Sequence, residues 1–154
     1  MASTHAMHHN RQAFIEFYRI RIEGLLSCLP HTGHELLAGR ETRGLIRGII
    51  TQNVDGFHQR AGSESVAEPH GTLATVRCSL CQNERPSETY LAEEGTHCQC
   101  GGFMRPSVVL FGESLPQTAL EQAEEWTNVA TPLDRGADMV IQDMLIGSLL
   151  QVTG

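Results

Sequence analysis

Four cysteines and one polar stretch hold most of the chemistry available to this sequence. Cys78 and Cys81 are two residues apart, Cys98 and Cys100 one apart, with sixteen residues between the pairs. This is the knuckle spacing with which four thiolates enclose a tetrahedral zinc ion. The second pair is one residue tighter than usual, which leaves His97 as a rival ligand. Four thiolates close the coordination sphere to water, so the expected zinc is structural and not catalytic. The fifth cysteine, Cys28, reads as a small buried hydrophobe on the first helix.

The polar stretch runs from Thr51 to Ser63, as Thr-Gln-Asn-Val-Asp-Gly-Phe-His-Gln-Arg-Ala-Gly-Ser. It follows the apolar run Leu45 to Ile50, and the abrupt change to amides, an acid, a histidine and glycines is how a buried strand delivers polar side chains into a cleft. Taken alone, Gln52, Asn53 and Asp55 serve equally well as caps on a strand end. Likewise His70, in Glu68-Pro69-His70-Gly71, is compatible with an ordinary loop histidine.

The elements that position these residues follow from periodicity. Phe14, Phe17, Tyr18, Ile22, Leu25 and Leu26 predict a core-facing helix over Arg11 to Leu29, which Pro30 and Gly33 break. A shorter helix is expected from His34 to Glu41, ended with the help of Gly44. Arg105 to Glu113 reads as a strand whose apolar run, Val108 to Phe111, suits a parallel sheet buried on both faces. A helix led by Pro116 follows to Ala130, and Ala137 to Val152 reads as one more strand. Alternating helices and apolar strands make an α/β fold.

At 154 residues, 40% hydrophobic and 19% charged, the chain suits one domain with an insertion. Its net charge of -7 argues against nucleic acid as a partner. All eleven basic residues are arginine, which removes Schiff-base chemistry on lysine. No apolar stretch approaches the roughly 20 residues of a membrane span, and no signal-peptide layout opens the chain, so no membrane partner and a cytoplasmic location are expected. That location also keeps the thiols reduced. Residues 1–10, with His5, His8 and His9, read as a flexible leader.

A zinc ribbon by itself suits an interaction module, but this one is flanked on both sides by α/β sequence. With Thr51-Gln52-Asn53-Val54-Asp55-Gly56, His58, Arg60-Ala61-Gly62, His70-Gly71, the two cysteine pairs, and Arg105-Pro106 through Val109-Leu110-Phe111-Gly112-Glu113 in order, the sequence resembles the sirtuin family of NAD-dependent protein lysine deacylases. The likeness covers about residues 11 to 130. It implies a Rossmann-like parallel sheet, here incomplete, over 11–77 and 103–154, with a zinc-ribbon insertion over 78–102. It also implies acyl transfer from protein lysine to ADP-ribose with release of nicotinamide, NAD+ being the cosubstrate and Zn2+ structural.

Carried over by position, His70 is the implied general base for a ribose hydroxyl, a task that suits an imidazole near neutral pH. Gln52 would touch the ribose, Asn53 order the site and Asp55 meet the nicotinamide amide, where groups that donate and accept fit a sugar and a carboxamide. Val109 and Phe111 would line the acyl-lysine tunnel, and Gly112 and Glu113 would offer backbone on which a peptide adds as a strand. Tyr18 and Arg21 match a pair that one branch uses to hold acidic acyl groups such as succinyl. Gly147 and Ser148 stand where the family contacts the cofactor, although Leu149 replaces an expected serine. Pro69 before His70 is a lesser departure. The family's opening strand and glycine-rich phosphate loop do not appear before Arg11, so the chain reads as a truncated member with weakened hold on NAD. The alternatives are a non-catalytic module that binds acyl-lysine peptides without NAD, and a zinc-ribbon interaction module.

Overall fold

The computed structural model describes residues 1–128 of the chain. Its helices are α1 (Thr4–His9), α2 (Arg11–Leu26), α3 (Thr32–Thr42), α4 (Phe57–Arg60) and α5 (Gln117–Asn128). Its strands are β1 (Ile49–Ile50), β2 (Val66–Ala67), β3 (Gly71–Cys78), β4 (Glu84–Pro86) and β5 (Met104–Val108), and 3-10 turns occupy Ser87–Leu91 and Glu94–Thr96. The expected strand over Ala137 to Val152, with Gly147 and Ser148, lies outside the described residues.

Helix α2 forms as its periodicity dictates. Phe14, Tyr18 and Ile22, one turn apart, are all buried and share the core with Leu73, Val76, Met104, Val108 and Leu110. Arg19 fixes the helix to the 3-10 turn, donating from Nε to the Tyr90 carbonyl at 2.9 Å and from Nη2 to the Ala92 carbonyl at 2.6 Å. The end of α3 comes at Arg43, and Gly44 follows with φ +68°, a left-handed conformation that costs glycine little.

Strands β1 and β2 pair in parallel, Ile49 opposite Val66 and Ile50 opposite Ala67, so the polar stretch 51–65 is their crossover. Motif residues therefore leave the carboxyl end of a parallel strand, where open α/β sheets gather ligand groups. α5 lies beside this pair, its Trp126 ring so close to Gly48 that a Cβ there would come within 2.6 Å of it. Among the described residues no helix is long and apolar enough to cross a membrane.

Three expectations are corrected. The strand expected over Arg105 to Glu113 is shorter, Met104–Val108, and it pairs antiparallel with β3, not in a parallel sheet, in the order β4-β3-β5. The reason is topological: β3 runs into the cysteine knuckle and β5 runs out of it, so adjacent they must oppose. Residues 4–9 of the expected flexible leader form a helix, N-capped by the Ser3 hydroxyl and anchored by Met7, which is 7% exposed. Cys28 is exposed, because α2 ends at Leu26 and the residue falls beyond the buried face.

Candidate active site and zinc centre

The crossover after β1 is held in shape by its own side chains. Thr51 Oγ1 accepts from the Asn53 amide at 3.1 Å, and Asp55 Oδ1 accepts from the Phe57 amide at 2.9 Å. Gly56, at φ +68°, lets the chain turn into α4. The Val54 carbonyl accepts from Leu73 N–H at 2.7 Å, which ties the crossover to the start of β3.

His70 stands on a turn with little freedom. Pro69 is among the fully buried side chains, Gly71 N–H donates to the Glu68 carbonyl at 2.9 Å, and the His70 carbonyl accepts from Val109 N–H at 2.9 Å. Gly71 has φ +72°, and β5 passes so close that a Cβ there would lie 2.1 Å from the Ser107 carbonyl oxygen. Burial raises the pKa of the neighbouring Glu68 carboxyl, against a hydrogen bond from Gln59 that lowers it.

One cavity, of about 840 Å³, opens beside His70. Tyr18 and Arg21 reach it from α2, Val54 from the crossover, and Val109, Phe111, Gly112 and Glu113 from the segment after β5. Tyr18 is only 3% exposed, and burial raises its phenol pKa against the opposing charges of Arg105 and Arg21. The Arg21 guanidinium lies over the Phe17 ring, 5.6 Å from its centroid. The walls also include Phe17 and Leu110, which read from the sequence only as apolar core positions, and Leu73, for which the sequence suggests no role. Apolar residues lining a pocket carry no local signal that separates them from core residues.

Several candidates sit differently from expectation. Gln52, Asn53 and Asp55 are not among the cavity walls, and Asp55 caps α4 through Oδ1. Phe111 borders the cavity yet is 73% exposed. The Glu113 carboxylate turns inward to Arg105 and to the Leu110 amide, and its own N–H donates to the Leu110 carbonyl at 2.9 Å, so the backbone group it offers a peptide is its carbonyl. His58 belongs to a different cluster, its ring 4.8 Å from that of His34, which in turn lies 4.1 Å from His31. Burial, then the charge of His34, lowers the His58 pKa, as suits a neutral imidazole bracing α3 against α4.

The cysteines converge as their spacing predicts. The ligand atoms of Cys78, Cys81, Cys98 and Cys100 lie within 4.8 Å of one another, with Cys78 to Cys100 at 3.5 Å and Cys81 to Cys98 at 3.7 Å. Zinc–sulfur bonds of about 2.3 Å in a tetrahedron put sulfurs about 3.8 Å apart, whereas a disulfide needs about 2.05 Å, so the residues fit zinc. The Cys78 thiol is brought down to about 6 by the Cys81 backbone N–H first, helped by the Leu80 N–H and the neighbouring thiols, which favours the thiolate. His97 is not in the cluster; its Nδ1 lies 3.1 Å from Thr96 Oγ1. Gly102 leaves the room the site requires, since a Cβ there would come 2.4 Å from Cys78 Sγ. We expect about one zinc per chain by metal analysis, with loss of β3–β5 order on chelation; an intact fold with no metal would refute this.

The sequence model of the Sir2 family matches residues 1–143. The NAD-dependent protein deacetylase 1 of Geobacillus kaustophilus is 48% identical over 153 residues, covering 99% of this chain and 59% of that protein. An NAD-dependent protein deacetylase of Halalkalibacterium halodurans is 41% identical, covering 99% of this chain and 79% of that protein. Among solved structures, a Sir2–p53 peptide–NAD+ complex superposes with a TM-score of 0.75 at 35% identity, over 82% of this chain and 55% of the other. A Sir2 homolog–NAD complex gives 0.76 at 35% identity, over 82% and 50%. The fold is thus that of an α/β protein with a four-cysteine ribbon. The chain belongs to the Sir2 family, and it spans between half and four-fifths of the length of these relatives.

Proposed function

We propose that the chain acts in NAD-dependent removal of acyl groups from protein lysines, releasing nicotinamide and transferring the acyl group to ADP-ribose. The observation that carries this reading is the common cavity: His70 and the Val109 to Glu113 segment face the same space, joined by the Val109 to His70 hydrogen bond. A lysine stem suits its apolar walls, with the peptide backbone laid on residues 109–113 as an added strand.

NAD, when bound, supplies the electrophilic ribose carbon and nicotinamide as leaving group. In this reading His70 would accept the proton of a ribose hydroxyl, Gln52 would touch the ribose, Asn53 would order the site and Asp55 would meet the nicotinamide amide. Their donor and acceptor chemistry suits those groups. Gly147 and Ser148 are assigned to the cofactor as well. Residues 78–102 serve as a zinc-braced insertion between the two parts of the catalytic domain, 11–77 and 103–154. The reaction belongs in the cytoplasm, where four unoxidised thiols persist.

The test is nicotinamide release from NAD and an acetyl-lysine peptide. His70→Ala should lower the rate by about 100-fold or more; equal release by both chains would refute the assignment. The acyl group is a separate matter. Tyr18 and Arg21 border the cavity together, and a guanidinium grips a carboxylate well. Arg21→Met is therefore expected to lower desuccinylation by about tenfold or more while deacetylation persists. Equal losses on both substrates would remove the acidic-acyl preference.

A further inference from the structure

We propose that residues 2–4 are an internal competitor for the edge on which an acyl-lysine peptide docks; this rests on the reading that residues 109–113 receive the peptide. The segment already lies there, held by a single parallel bridge. Ser3 pairs with Phe111, whose N–H donates to the Ala2 carbonyl at 2.9 Å and whose carbonyl accepts from the Thr4 N–H at 3.1 Å. Thr4 Oγ1 also reaches the Phe111 carbonyl, at 3.3 Å. Ala2 borders the cavity with His70, and the contact is close enough that a Cβ on Gly112 would come 2.7 Å from Thr4 Oγ1. A peptide strand needs these same backbone groups of Phe111, and each can serve only one added strand at a time.

The neighbouring residues show how the segment is held and why it can leave. The Ser3 hydroxyl accepts from Ala6 N–H, so the docked segment runs directly into α1, and Met7 seats α1 in the core. A helix of six residues has little stability of its own and depends on that packing, which makes local release inexpensive relative to global unfolding. The chain contains no lysine, so the docked segment competes without being a substrate. The apparent peptide affinity is then lowered by the fraction of chains in which the edge is covered.

Thr4→Pro tests this on the full chain. It removes the amide donated to Phe111, yet Thr4 is the first residue of α1, where proline is well tolerated, and Ser3 is already extended at φ -133° and ψ 156°. Exchange of the Phe111 amide hydrogen is measured beside binding of a fluorescent acetyl-lysine peptide. The expected result is at least tenfold faster exchange with a rise of about three- to tenfold in peptide affinity, the scale of one or two neutral hydrogen bonds. Met7→Ala, which loosens α1 without touching residues 2–4, should move both readouts the same way. Unchanged exchange in both variants overturns the docking, and faster exchange with unchanged affinity overturns the competition. No peptide binding by any of the chains would instead be a failure of the deacylase reading, and the competition would fall with it.

Discussion

Gly71→Ala is expected to destabilise the chain by about 3 kcal/mol or more and to abolish nicotinamide release, although it adds only a methyl group. Two effects combine. Alanine at φ +72° is in the left-handed region, which costs about 1 kcal/mol. Its Cβ would also stand 2.1 Å from the Ser107 carbonyl oxygen and 3.0 Å from Val108 Cα, both backbone atoms of β5, so strand and turn must separate. The β3–β5 register already shifts between Gly71 and Val76, and Gly71 opposite Val108 is the pair that sets His70 against Val109. Separating the strands would break the Val109 to His70 hydrogen bond and displace the imidazole from the cavity. Gly44→Ala is the control: Gly44 has φ +68° with no atom within 4 Å of an added Cβ, so only the conformational cost of about 1 kcal/mol applies. Urea unfolding of both variants checks the difference; equal shifts in midpoint would show that the close approach to Ser107 has no energetic weight.

The parts of this molecule that sequence made legible are those set by local rules. Four sulfurs within bonding distance of one ion follow from two short turns, and the α2 stripe follows from helical period, so Cys78 to Cys100 and Phe14 to Ile22 stand where expected. The placing of Gln52, Asn53 and Asp55 at the end of β1 was also readable, because an apolar run meeting a polar one marks a strand end. What could not be read was pairing between distant segments. The strand from Arg105 to Val108 was readable, but nothing in it says that it opposes β3, because alternation and burial are alike in either direction. Nor does Ala2-Ser3-Thr4 carry any sign of a partner more than a hundred residues away. Glu113 shows the same limit at a single residue: it was read for its backbone alone, while its carboxylate pairs with Arg105 on the adjoining buried strand.

That pairing leads to the second large effect. Arg105 is 4% exposed, a charge in the core, and it hydrogen-bonds the Glu113 carboxylate through both terminal nitrogens, Nη2 to Oε2 at 3.0 Å, while Nη2 also reaches the Val108 carbonyl. Glu113 Oε2 in turn accepts from Leu110 N–H at 2.8 Å, and Glu113 N–H returns to the Leu110 carbonyl at 2.9 Å. The two side chains thus fold residues 108–113 into the shape that borders the cavity. Arg105→Met keeps the volume and apolar stem but leaves a partly buried carboxylate without its cation, at a cost of about 3 kcal/mol. The pH dependence identifies the cause. In the parent chain burial pushes the Glu113 pKa up, but the Arg105 hydrogen bond, the Leu110 amide and the Arg105 and Arg77 charges outweigh it and hold the pKa below its ordinary value. A lowered folded pKa gives stability that is present above the unfolded value of about 4.5 and is lost as pH falls through the folded one. Without the guanidinium the carboxyl pKa should rise above the unfolded value, so the variant's deficit should shrink on acidification from pH 7 toward pH 4. Urea titrations at both pH values measure this. A deficit that stays constant would mean that Arg105 acts by packing alone, and Glu113→Gln in the same background should then bring no recovery at pH 7.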